Sequence, residues 1–148
     1  MIQINKHTRH KLYWIDYTNS MKSIVDDTLN EAKLEVLDLG YEFALYIKDI
    51  NEAQVKNMAP EYLSDIIEGR LNVDKSTGLP YVIIKNFGIM MENFLNIDVE
   101  KYLRDLSKNT GVVLLWEGTI KDRHIFIWSD TDDYSLIFKD TNIQKIDI

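Results

Sequence analysis

Cysteine is absent from this chain of 148 residues, which excludes disulfides, thiolate metal sites and a thiol nucleophile at once. Histidine is scarce, with His7, His10 and His124 alone. His7 and His10 stand three apart, a spacing open to a metal pair, but no acidic motif joins them and a solvated basic end is the plainer reading. No apolar stretch approaches the roughly 20 residues of a membrane-spanning helix, and no signal-peptide core opens the chain. A cytoplasmic protein without membrane contact is expected. Glycine and proline number six and two. No linker or internal repeat breaks the chain, so residues 1–148 read as one domain.

Hydrophobic residues make up 45% and charged residues 28% of the chain, a globular balance with enough length to bury a core. The net charge of −7 is uneven. Lys6, Arg9, Lys11 and Lys22 against Asp16 give the first 23 residues +3, leaving −10 for the remainder. An acidic body repels phosphate backbones, so nucleic acid is expected only indirectly or through the basic N-terminal stretch. That stretch also reads as a solubilising tail with an edge strand guarded by lysines.

Six glycines leave none for residues Asp16 to Ser23, Asp-Tyr-Thr-Asn-Ser-Met-Lys-Ser. There the pattern G-x-x-x-x-G-K-[ST] keeps Lys22 and Ser23 but has Asp16 and Met21 at its glycine positions. A phosphate-binding loop wraps backbone N–H groups around its ligand, which needs positive φ and close approach that a Cβ obstructs. Asp16 adds a negative charge beside an anionic ligand. An ordinary helix start explains Lys22-Ser23 equally well.

Apolar runs alternate with helical patterns, as in a parallel sheet with crossover helices. Strands are expected at Lys11–Ile15, Leu34–Leu39, Tyr81–Ile84 and Val112–Trp116. A helix from about Lys22 to Lys33 would bury Ile24, Val25, Thr28, Leu29 and Ala32. Two further helix faces follow between Tyr41 and Gly69, with Pro60 in the first turn of the second. Residues 72–80 read as a loop. A helix from an Asp98 cap carries Val99, Tyr102, Leu103 and Leu106 and ends near Asn109 and Gly111. His124–Trp128 and Tyr134–Phe138 read as antiparallel strands around the acidic turn Ser129 to Asp133, finishing the same sheet. Asp130, Asp132 and Asp133 with Glu117 could gather a cation, although acidic turns are usually only solvated. Asn86, Ser107 and Asn109 could cluster near strand ends, where capping explains them as well.

In a nucleotidase, the strand at Tyr81–Ile84 would end in a carboxylate that holds the magnesium shell. Lys85 and Asn86 stand there instead, and Glu92 falls well past the strand end. The runs Tyr81 to Met91, Ile97 to Asn109 and Val112 to Gly118 resemble the BrxF family, the small P-loop proteins of type 3 BREX phage-defence systems. The likeness rests on Asn86, on Leu106-Ser107-Lys108-Asn109 and on Trp116-Glu117-Gly118, and covers about residues 10 to 140. Lys85 occupies the position of the family's aspartate.

The resemblance implies a P-loop NTPase-like parallel sheet flanked by helices, with short C-terminal antiparallel strands. It implies a component of a BREX-like antiviral assembly, alongside partners such as a methyltransferase and a helicase. Asp16, Met21 and Lys85 depart from an active site, so the expected role is a scaffold or nucleotide-sensing subunit, with ATP bound weakly at most. Two alternatives stay open: an ATP-binding NTPase completed by a partner subunit, and a stand-alone regulatory module that binds protein. Self-association is also open, with Tyr13, Trp14, Trp116 and Trp128 as candidate contact anchors.

Overall fold

The computed structural model describes residues 2–128, 135–139 and 141–148. Five parallel strands form its main sheet: β1 (Leu12–Asp16), β2 (Leu37–Asp38), β4 (Pro80–Lys85), β5 (Gly111–Trp116) and β9 (Gln144–Lys145). They lie in the order β2-β4-β5-β1-β9, and β3 (Asn72–Val73) pairs antiparallel with β4. Between the strands come helices α1 (Lys22–Glu31), α2 (Leu39–Ile47), α3 (Glu52–Glu68) and α4 (Val99–Leu106). A separate three-stranded antiparallel sheet holds β6 (Thr119–Lys121), β7 (Ile125–Ile127) and β8 (Ser135–Ile137).

Strand β5 is buried at all six positions, as a central strand covered on both faces must be. The two-residue period sends Leu12, Val82, Ile84, Val112, Leu114 and Trp116 to one face, where they pack with α2, α3, α4 and the small sheet. Tyr13, Ile15, Tyr81, Ile83, Val113 and Leu115 face the other way, toward Val25 and Leu29 of α1 and toward Ile2 and Ile4. Right-handed crossovers explain the split. The chain leaves β1 in one direction along the sheet through α1, and returns in the other through α2, α3 and α4.

Several expectations need correction. Strand β5 lies between β1 and β4, so the strand carrying Ile83 and Ile84 is one removed from β1, which leads into the Asp16–Ser23 turn. Strand β1 is interior, because the unforeseen β9 covers its other side. The run Leu34–Leu39 yields only a two-residue strand, and Leu39 already opens α2 because the Asp38 carboxylate accepts the Tyr41 N–H at 3.1 Å. Pro60 sits in the middle of α3, whose start is fixed instead by Asn51 accepting the Gln54 N–H at 2.8 Å. Ile24 and Ala32 are exposed rather than inward.

Strands β6, β7 and β8 form their own sheet rather than finishing the main one. They begin at Gly118, where a Cβ would collide with the Ile127 carbonyl oxygen. This close approach lets β6 fold back on β7. Trp116 stacks edge-on with Phe126 and Trp128, at 5.2 Å in each case, and Phe126 with Phe138 at 5.2 Å. These contacts fasten the small sheet to the large one. Tyr13 and Trp116 are therefore core residues, 4% and 1% exposed. The acidic turn from Ser129 to Asp133, with its proposed cation ligands, lies outside the described residues, as does Tyr134.

Candidate functional site at the carboxyl edge of the sheet

In an open parallel sheet, ligands bind beyond the carboxyl ends of the strands, where adjacent strands send their connections to opposite faces. Here that point lies between β1 and β5. The chain passes from β1 into α1 on one face and from β5 into the small sheet on the other. Asp16 and Trp116, the last residues of these strands, are register partners. The Tyr17 N–H donates to the Trp116 carbonyl at 2.9 Å.

Asp16 through Ser23 form the strand–turn–helix that opens at this crevice. The interior of the turn is already bonded. Asp16 Oδ1 accepts from the Thr18 N–H at 3.1 Å and from the Thr18 hydroxyl at 2.8 Å. The Thr18 carbonyl in turn accepts the Met21 and Lys22 N–H groups at 2.8 and 3.0 Å. Every residue of the turn has negative φ. An anion nest alternates right- and left-handed backbone so that successive N–H groups converge on one point. Asp16–Ser23 is a closed turn rather than such a nest.

Lys22 reaches across the crevice to Glu117, with 3.1 Å between Nζ and Oε1, and its ammonium lies 5.5 Å from the centre of the Tyr17 ring. The Tyr17 hydroxyl donates to Asp26 on α1 at 2.7 Å. Burial, and then that hydrogen bond, hold the phenol protonated far above its ordinary range, and the charges of Asp26, Glu117 and Asp38 push the same way. Three carboxylates thus act on one point of the crevice, a field that repels a phosphate.

Lys85 and Asn86 end β4 farther along the edge. Lys85 is the register partner of Asp38. Asn86 adopts a left-handed conformation, φ 56°, that asparagine tolerates better than most residues. Its side-chain amide donates to Asp38 Oδ1 at 3.0 Å, and its carbonyl accepts the Gly40 N–H at 3.2 Å. A Cβ on Gly40 would strike that amide. Asn86 therefore locks β4 to the start of α2. Ser107 is engaged elsewhere, its hydroxyl donating to the Arg104 carbonyl at 3.1 Å, so it and Asn86 have separate duties.

These residues do not fit a magnesium-bound triphosphate. An exposed ion pair such as Lys22–Glu117 is worth at most about 1 kcal/mol and would yield to a micromolar ligand worth about 8. The closed turn would not yield so cheaply, because opening it breaks four hydrogen bonds and forces side-chain-bearing residues into positive φ. Among the described residues no group of three or more histidine, aspartate or glutamate side chains could hold a metal ion. No helix among them is long and apolar enough to cross a membrane.

Glu117, Tyr17, Asp26 and Asp38 were not expected here. Glu117 visibly follows a strand in the sequence, but its meeting with Lys22 depends on β5 lying beside β1, which no local pattern reveals. Compared with family models, curated proteins and solved structures, the chain matches none.

Proposed function

We propose that this protein is a P-loop-type subunit of a BREX-like antiviral defence assembly in which the phosphate-binding loop has become a closed structural turn. Its role is then a scaffold rather than a nucleotidase. The observation that carries the reading is the turn at Asp16–Ser23. It occupies the strand-to-helix position beside the sheet's switch point, keeps Lys22 and Ser23, and spends the Met21 and Lys22 amides on the Thr18 carbonyl. The place of the chain in a defence assembly rests on the residue resemblance from Tyr81 to Gly118. The test is to express the tagged chain with its genomic neighbours, recover the complex and measure phosphate release from Mg-ATP. A large defence component should co-purify, while the isolated chain should show negligible turnover both as wild type and as Glu117→Gln. Turnover that disappears in Lys22→Ala would restore the enzyme reading, and recovery of a lone monomer would remove the scaffold.

A further inference from the structure

Helix α2 holds Glu42 as its sole charged residue. A helix that is apolar around its whole circumference is normally buried on all sides. Here burial reaches only half of it. Leu39 and Phe43 are buried and Ile47 packs against the same core, while on the opposite face Tyr41, Ala44, Leu45 and the capping Lys48 are exposed. Their spacing, i, i+3, i+4 and i+7, makes one continuous stripe. Tyr41 is 60% and Leu45 48% exposed.

The residues beside the stripe are engaged with α3 and its end. The Tyr46 ring lies 5.0 Å from that of Tyr62 and its hydroxyl donates to Asp65 at 3.0 Å. Glu42 turns the same way and pairs with Arg70 at 2.8 Å. Lys48, by contrast, makes no ion pair among the described residues. The other large apolar side chains left exposed, Ile24, Met58, Val73, Phe94 and Ile137, come one each from separate elements, a scatter that needs no explanation. Only α2 gathers such residues on one element, in Tyr41, Leu45 and Tyr46.

We propose that this face pairs with the same face of a second copy of the chain, the two α2 helices lying antiparallel about a two-fold axis between Ala44 and Leu45. The stripe is self-complementary in that register. Each Ala44 leaves room for Leu45 of the second copy. Each Lys48 ammonium meets the Tyr41 ring at the far end, beside the Asp38 carboxylate, so that cation faces aromatic ring and acid. Parallel pairing would set Lys48 against Lys48. A helix of nine residues is only about 13 Å long, so the buried area falls at the low end of specific interfaces and the dimer is a weak one. Self-association thus moves from Tyr13 and Trp116, which belong to the core, to an exposed face, and it does not depend on the defence reading.

The test is sedimentation velocity on the full chain at about 150 mM salt, where repulsion between two acidic copies is screened beyond about 8 Å. A reversible dimer should form with a Kd on the order of 10–100 µM. Leu45→Glu should weaken it roughly tenfold or more, because it sets two carboxylates at the axis. Lys48→Glu should weaken it roughly tenfold by removing both cation–ring contacts. Ile24→Glu, at an exposed site on α1, should leave it unchanged. Since the chain has no cysteine, Ala44→Cys should give an intersubunit disulfide on mild oxidation and Ile24→Cys should not. The proposal is overturned if the chain stays monomeric to about 1 mM, if the dimer survives Leu45→Glu, or if Ala44→Cys cross-links no better than Ile24→Cys. Monomer binding to phosphatidylcholine vesicles that is lost in Leu45→Glu would also overturn it, giving the face to a lipid surface.

Discussion

Asp74 illustrates how one side chain can hold a chain terminus in place. It is 6% exposed, and its Oδ2 accepts the Ile4 N–H at 2.8 Å while Oδ1 accepts the Ser76 N–H at 3.0 Å and hydroxyl at 2.8 Å. The Ile4 bond, then those from Ser76, lower its pKa from 3.8 to about 2 against the opposing effect of burial. Because the folded value lies below the unfolded one, the contribution is fully present above about pH 4 and is lost as pH falls toward 2. Melting temperature should therefore fall between pH 5 and pH 2.5. An asparagine cannot accept hydrogen bonds at both positions, so Asp74→Asn should start about 1–3 kcal/mol less stable at pH 7 and show a flatter profile. Thermal melts across that range check it, and parallel profiles for the two proteins would remove Asp74 as the source.

At the scale of elements, the sequence was legible where period and cap agreed. Asp98 caps α4 by accepting the Lys101 N–H at 3.2 Å, and Val99 and Leu103 point inward as their spacing requires. The runs at β1, β4 and β5 lie within a residue or two of their expected positions. Pro60 misled because proline favours the first helical turn, whereas Asn51 and Gln54, three apart, already marked the start of α3 in the manner of a capping box. Short strands such as β2, β6 and β9 carry too few residues to show a period, and the order of strands in a sheet leaves no local trace. The Lys22–Glu117 pair could not be foreseen for that reason.

The proline has an energetic consequence within α3. It removes one backbone donor from the middle of a helix of 17 residues, and a proline in a helix interior costs about 3 kcal/mol relative to alanine. Alanine would also regain chain freedom in the unfolded state, offsetting about 0.4–1 kcal/mol of the gain. Pro60→Ala should therefore stabilise the protein by roughly 2–2.6 kcal/mol. Urea unfolding should show a higher midpoint with an unchanged slope. A lower midpoint would mean that Pro60 contributes packing beyond its backbone cost.

For the whole molecule, the distribution of charge decides what it can approach. The basic N-terminal stretch is weaker than its composition suggests. Lys11 is 6% exposed, and its ammonium donates to the carbonyls of Thr8 at 3.0 Å and Lys108 at 3.1 Å. Lys22 is paired with Glu117. That leaves Lys6 and Arg9 as the exposed cations of the first 23 residues, on a chain of net charge −7. Two phosphate contacts would release about two counterions, far short of the six to ten that give strong binding its steep salt dependence. Fluorescence anisotropy with a duplex of about 30 base pairs, a length covering roughly three helical turns, should accordingly show no saturable binding at 150 mM salt. At 20 mM salt any residual binding should follow a log–log salt slope near −2. A slope near −6, reduced by about one unit in Lys6→Ala and again in Arg9→Ala, would show that the N-terminal stretch assembles a nucleic-acid surface after all.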